Sequence, residues 1–417
     1  MRNNYLFFSL ILLWSIQAKA QTTTELVSMG PNYAETAFYT LSTDSAVSYD
    51  HTMWDLMFSV DPRGSSVFFN EAVARRGDEL ELYLSTATDF ASVDTTGMTL
   101  IRNTEISWDE GAFNTVKDVN DPFDQGWGLY NSVDRTVSSN RYFILKLRDG
   151  SMKKVEIMSL DTGVYTFRHA DMDGSNEVTR TIDKANFAGK TMAYYSIVQD
   201  SIMDLEPAVW DFVFSRYYTP LDAGGTTIDY MVTGILTNAG VEVAQADDID
   251  PATVNYMDYD TAYSSVLTTM GHDWKDIDAT FQFFIVPNRV YFIKNAQNEL
   301  WKVEFIDFTG SSLGETTFEQ TFETNVTSIN DLDFVESYAV YPNPATDQIN
   351  IAFEISKSIK DANIEIYNTI GQQVLNKGVQ IHTGLNVYTL PIDLESGVYH
   401  VSIRVKEDLI TKMLMVK

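Results

Sequence analysis

The stretch AFYTLSTDSAVSYDHTMWDLMFS at residues 37–59 returns 156 residues later as AYYSIVQDSIMDLEPAVWDFVFS at residues 193–215. The two align without a gap and share eight of 23 positions, among them Tyr39/Tyr195, Asp44/Asp200, Trp54/Trp210, Asp55/Asp211 and Phe58/Phe214. More likeness follows in the same order. Tyr142-Phe143-Ile144 matches Tyr291-Phe292-Ile293, and with one residue of slippage Lys154-Val155-Glu156 matches Lys302-Val303-Glu304. Ordered matches of this kind define a tandem duplication, and the repeat has to be recognised before single elements are assigned.

Each copy reads as β structure. Trp54-x-Leu56-x-Phe58 and Trp210-x-Phe212-x-Phe214 alternate with period two, the pattern of a strand with one apolar face. Tyr142 to Leu147, a turn at Asp149-Gly150, and Met152 to Met158 read as a hairpin. Its counterpart is Val290 to Asn295, a turn at Gln297-Asn298, and Leu300 to Phe308. Helical periodicity is weak, and Pro251 to Ala262 holds a short helix at most. The repeated Trp-Asp pair reads as a buried indole beside a turn-fixing carboxylate, because a large aromatic contributes mainly through buried area.

The 417 residues suggest two or three domains, and a hydrophobic fraction of 44% is enough for packed cores. The formal charge is −29. Residues 335–417 carry seven basic and nine acidic side chains, so nearly all of the acidity lies before them. Such a body repels nucleic acid and anionic lipid, and nucleic-acid binding is excluded as a class. There is no cysteine, which removes disulfides, zinc–thiolate sites, iron–sulfur clusters and cysteine nucleophiles.

Residues 1–20 read as a signal peptide. Arg2 gives the positive start, Tyr5 to Ile16 the apolar run, and Ala18 and Ala20 the small residues before a cleavage that leaves Gln21 first. No other segment approaches membrane-spanning length. From Val335 the texture changes to short strands at regular spacing: Gln348 to Phe353, Asn363 to Tyr367, Gln373 to Leu375, Asn386 to Leu390, Gly397 to Val405 and Thr411 to Val416. Turn residues between them predict an antiparallel β-sandwich.

This last region resembles the C-terminal sorting domain of type IX secretion cargo. The resemblance rests on Tyr341-Pro342-Asn343-Pro344-Ala-Thr-Asp, on Ile366-Tyr-Asn-Thr-Ile-Gly371-Gln, on Gly397-Val-Tyr399, and on the closing segment Lys412 to Lys417. It implies a Bacteroidetes-type source and a partner in the type IX machinery. It also implies passage through the periplasm and across the outer membrane, with release or attachment at the cell surface.

The body is similar to the HmuY-like family of haem-binding proteins. The likeness lies in Trp210-Asp211-Phe-Val-Phe-Ser-Arg-Tyr, Gly224-Gly225-Thr, Gly234 and Arg289-Val-Tyr-Phe-Ile-Lys, and more loosely in Trp54-Asp55-Leu-Met-Phe-Ser and Arg141-Tyr-Phe-Ile-Leu-Lys. The resemblance implies an all-β fold in which paired loops grip a haem between axial side chains. In that family an axial His follows a Gly-Trp stretch by about five residues, which points to Ser132 after Gly126-Trp127 and to Ala279 after Trp274. Neither side chain donates to haem iron, which needs a lone-pair donor. His272, in Met270-Gly271-His272-Asp273, is the nearest substitute, with Met257 and Met231 as soft donors.

Asp171-Met-Asp173-Gly174-Ser-Asn176-Glu177 carries oxygen donors for an incidental calcium ion, but its Gly and its position 12, Ile182, depart from an EF-hand. H-E-x-x-H does not occur, and G-x-S-x-G occurs once, at Gly310-Ser311-Ser312-Leu313-Gly314. The expected architecture is all-β, with a signal peptide at 1–20, HmuY-like repeats at 21–188 and 189–326, a linker at 327–334 and the sorting sandwich at 335–417. The expected function is a non-catalytic, secreted or surface-attached binding protein for haem, another ligand or a protein partner. The alternatives are a hydrolase of an extracellular polymer and a structural or adhesive surface component.

Overall fold

A computed structural model describes residues 22–72, 78–325, 335–355, 359–368, 372–405 and 408–417. The expected cleavage site at Ala18, Ala20 and Gln21, the linker at 327–334 and Gly371 lie outside the described residues. The chain forms two units, Met1–Thr324 and Asn325–Lys417. The all-β expectation holds in both: the described residues form antiparallel sheets joined by turns, and Pro251 to Ala262 supplies only the short 3-10 turn Tyr256–Tyr259.

Among the described residues the first unit contains four principal sheets. A five-stranded sheet runs in the order Thr22–Ser28, Glu315–Asn325, Glu299–Phe308, Val290–Lys294, Glu242–Ala246. Thr227–Thr237, Phe212–Asp222, Glu35–Thr40 and Ser45–Asp50 form a second sheet. A third contains Ser201–Met203, Met192–Ser196, Leu56–Ser59 and Val67–Phe69. The fourth is eight-stranded and includes Phe143–Lys146, Met152–Asp161 and Val164–Asp171.

The two copies exchange strands. Tyr39 of the first copy faces Phe212 of the second, and Tyr195 of the second faces Leu56 of the first. Both members of each pair are displaced by the same 156 residues that relate the repeats, so the exchange is reciprocal and keeps one register. The lobes therefore do not follow a division at 188/189. One lobe core runs from Leu56 to Ile197, and the other joins Val27 to Leu41 with Phe212 to Phe318. The N-terminal strand Thr22–Ser28 closes the second lobe against Glu315–Asn325.

Strand alternation explains how the exchanged sheets serve two cores. Ala37 and Tyr39 enter the second lobe, whereas Phe38 between them faces the other way. Ala193 and Tyr195 enter the first lobe, and Met192 and Tyr194 face away. The outward residues meet in a third cluster with Met57, Phe68, Trp210, Val213 and Leu236. The Trp-Asp strands were expected to have one apolar face. Both faces are buried, because Met57 and Val213 fill the alternate positions.

The hairpin frame also needs a correction. Phe143 faces Val155 across the first hairpin, and Tyr291 faces Val303 across the second. All four point into their lobe cores, which sets the true displacement at 148 and pairs Arg141 with Arg289 and Gly150 with Asn298. The Tyr-Phe-Ile identity is thus one residue out of register. A one-residue slip turns every side chain to the other face, so core-facing position outweighs letter identity.

The second unit has two sheets: Val335–Tyr341, Gln348–Ile355 and Gly384–Pro391 in one, and Gln373–Ile381, Ile359–Asn368, Gly397–Val405 and Asp408–Val416 in the other. Ile349, Ile351, Phe353, Ile364, Ile366, Val401, Ile403 and Leu414 fill the space between them. The expected sandwich is present. Its strands are longer than the sequence pattern implied, because polar residues on the outer faces continue the ladders.

Candidate functional site

The repeated Trp-Asp pair builds the junction between the lobes. The Asp55 carboxylate accepts from the Ile197 and Val198 amides at 2.7 and 3.3 Å and from the Ser196 hydroxyl at 3.3 Å. Its counterpart Asp211 accepts from the Leu41 amide at 2.7 Å. Each carboxylate thus ties down the turn after the strand borrowed from the other copy. Asn70 and Asn238 repeat the arrangement, donating to the Trp54 and Trp210 carbonyls at 2.8 and 2.9 Å. Burial raises the pKa of both acids, against the backbone donors that favour the charged form, and Asp211 reaches about 6.

With the backbone held this way, the two indoles meet aromatic partners across the exchange. Trp54 packs edge-on against Tyr194 at 5.2 Å between centroids, and Trp210 against Phe38 at 4.8 Å. Trp108 reaches over from the loop before the first hairpin, sits 5.8 Å from Phe68 and 6.5 Å from Trp210, and donates its indole N–H to the Thr237 carbonyl. These rings leave a cavity between the lobes, with about 80 Å³ open to the centre of a water-sized molecule. Most of its lining is apolar.

Two polar side chains on the cavity wall stand out. Glu71 is 6% exposed, accepts from the Asn103 amide at 3.3 Å, and has the Arg102 guanidinium 3.8 Å away. Burial pushes its carboxyl up to about 8, Arg102 and Asn103 oppose that shift, and Asp229 adds to it. The Tyr217 hydroxyl is buried and has no hydrogen-bond partner among the described residues. Arg102 is thus its ion-pair partner, and Glu105 and Arg216 line the same cavity; a carboxyl shifted by burial beside a charge partner is the kind of group that marks a binding site. The cavity was missed in the sequence because its walls come from both copies. The available signal was Glu71 itself, a charge two residues after the apolar run Val67-Phe68-Phe69.

The expected haem donors do not converge. Met257 is 60% exposed in the turn beside Tyr256 and Tyr259, whose rings pack on Phe292. Phe292 points away from the lobe core that takes Tyr291 and Ile293. His272 lies in the loop whose Trp274 stacks on Phe305 inside that core, so the two candidates belong to opposite faces of one sheet. Burial lowers the pKa of His272. Met231 is half-buried on Thr227–Thr237, opposite Tyr218. Ser132 and Ala279 are exposed in the turns of the two ribbons that follow Trp127 and Trp274.

The acidic stretch from Asp171 is a hairpin turn. Its first carboxylate is held by the Lys153 ammonium and accepts from the Asn176 amide at 2.6 Å. Among the described residues no group of three or more His, Cys, Asp or Glu side chains is arranged to hold a metal ion, and no helix is long and apolar enough to cross a membrane.

In the second unit the terminal motifs come together. The Asn343 side chain accepts from the Met415 amide at 2.8 Å, Ala345 donates to the Met415 carbonyl at 2.8 Å, and the Lys417 amide returns to Ala345 at 2.9 Å. The Pro342-Asn343-Pro344 turn is therefore stitched to the last strand. Gly397 pairs with Val416 at the start of the neighbouring strand, and the Tyr399 hydroxyl donates to the Glu395 carbonyl at 2.9 Å. Tyr341 is half exposed.

Residues 339–417 match the family described as the secretion system C-terminal sorting domain. This region is thus a type IX sorting domain, and it supports export by the type IX secretion system to the cell surface or extracellular space. No curated protein matches the chain. Among solved structures, apo PinO from Porphyromonas gingivitis is similar at 9% identity with a TM-score of 0.24, covering 74% of this chain and 100% of that one. Dimeric latent PorU from Porphyromonas gingivalis is similar at 8% identity with a TM-score of 0.17, covering 81% of this chain and 29% of that one.

Proposed function

We propose that this chain is a non-catalytic binding protein, carried through the periplasm and released or displayed by the type IX route, that holds a small ligand between its two lobes. The observation that carries the reading is the inter-lobe cavity, whose rings Trp54, Trp108 and Trp210 come from both copies of the repeat. Apolar cavities with a few placed polar groups are the usual form of small-molecule sites. The reciprocal exchange fixes both walls, so the cavity is formed before any ligand arrives.

Three of the seven tryptophans line the cavity, so occupancy is readable in intrinsic fluorescence. Saturable quenching by small ring-bearing ligands, reduced in Trp108→Phe, is the expected result. No saturable change with ring-bearing, aliphatic or haem ligands would overturn the reading.

Haem is the ligand that the HmuY-like resemblance implies, and the body's likeness to that family rests on the residues quoted for it. His272 is its best donor, since the His51 ring is tied to the Ala34 carbonyl and the His169 ring to the Tyr195 hydroxyl. A haemin titration should then give a Soret shift that His272→Ala removes. The cavity is too small for a porphyrin without rearrangement, which is why it supports a smaller guest.

A further inference from the structure

We propose that the secretion machinery reads the sorting domain through the outer face of its three-stranded sheet, Val335–Tyr341, Gln348–Ile355 and Gly384–Pro391. The partner surface is uncharged and apolar; it covers Leu385 and Val387 and adds a strand to the free edge of Gly384–Pro391. The proposal rests on the sorting role of residues 339–417 and adds the face that performs it.

Alternation along the strands decides which side chains are available. Ile349, Ile351, Phe353 and Leu390 enter the sandwich core, and Tyr388 packs against it. Leu385, Val387 and Thr389 are therefore turned outward, and Val387 and Thr389 lie opposite Ala352 and Asn350. Leu385 is 69% exposed and Val387 50%, while Tyr341, across from Asn350 on the third strand, is 46% exposed. Scattered exposed apolar residues are ordinary, but neighbours on one face of a small sheet form a patch.

The patch is also uncharged. Among the described side chains, Asn350, Ala352 and Thr389 surround the three apolar ones, and the Thr389 hydroxyl donates to the Asn350 side chain at 2.7 Å. The other sheet differs, with the Arg404 guanidinium donating to the Glu365 carboxylate at 2.9 Å. The whole domain is nearly neutral on a chain of net charge −29. Complementarity therefore selects a neutral, apolar surface, since a charged one would lose its hydration here without gaining a counter-charge.

Gly384–Pro391 ends its sheet: among the described residues it pairs only with Gln348–Ile355. An edge with apolar side chains at alternate positions suits strand addition, in which the backbone supplies hydrogen bonds and the alternate side chains supply selectivity.

The test uses the full chain in its native host, with cell fractionation as the readout. Leu385→Lys/Val387→Lys should lower the exported fraction at least about tenfold, because an ammonium group is costly to bury against an apolar surface. Asn376→Lys/Gln380→Lys puts the same charges on exposed positions of Gln373–Ile381 in the other sheet and should leave export at the wild-type level. Leu385→Gln/Val387→Thr should be intermediate, and it decides the outcome if the first lysine pair lowers the melting temperature of the purified chain. Wild-type export of the folded Leu385/Val387 variants would overturn the proposal, which is the result expected if the chain's own body or a second copy covers this face. Equal loss of export in both lysine pairs would overturn it as well. Deleting residues 339–417 separates the two levels: a block by the deletion alone removes this proposal and keeps the sorting role, whereas undiminished export after deletion removes both.

Discussion

Glu71 is the cavity-wall residue at which burial works against charge. Its pKa rises on folding from an ordinary carboxylate value to about 8, with burial as the main cause. Between those two values the folded chain binds more protons than the unfolded one, so this group's contribution to stability falls as pH rises through that window. Glu71→Gln removes the titration. The wild-type minus variant difference in urea midpoint should therefore become more negative from pH 5 to pH 8.5, with the variant the more stable at the alkaline end. A flat difference would show that the carboxyl is not desolvated as described. The sequence placed Glu71 beside an apolar run, but its burial depended on a wall supplied from far along the chain, and that was not legible.

At the scale of elements, the exchanged hairpins explain why one short motif is repeated so faithfully. Asp55 and Asp211 occupy the same place in the two copies but not the same environment. Asp55 has three donors to its carboxylate, whereas Asp211 accepts from the Leu41 amide and is pushed up to about 6. Replacing Asp55 by Asn at pH 7 should cost about 1–2 kcal/mol through loss of charge-assisted bonds. Asp211→Asn should cost less, because one backbone amide donates to its carboxylate where two donate to that of Asp55. Equal losses in chemical denaturation would mean that the donor count is not what separates them. The strand pattern of both Trp-Asp segments was readable from alternation alone. Their partners were not, because pairing within a copy and pairing between copies would bury the same residue types.

At the scale of the whole molecule, the two units answer different questions. The sorting domain was recognisable by its motifs because turns such as Pro342-Asn343-Pro344 depend on local backbone chemistry. Deleting residues 339–417 in the native host should leave the protein inside the cell, and fractionation with an antibody to the body measures it. Undiminished export of the truncated chain would mean that these residues are not the export signal. The body is less legible. Its duplication, strands and hairpins appear as periodicity, and periodicity is a property of neighbours in the chain.

What the sequence determined by itself was therefore local: β structure throughout, two copies of one unit, a sorting domain and an acidic, cysteine-free body. The tertiary structure alone decided that the copies trade strands, that the hairpin frame is 148 residues, and that Glu71 and Tyr217 share a cavity with three tryptophans. The physical reason is that side-chain alternation states which residues must be buried but not against what. When two copies offer equivalent faces, only the path of the chain between them selects the partner.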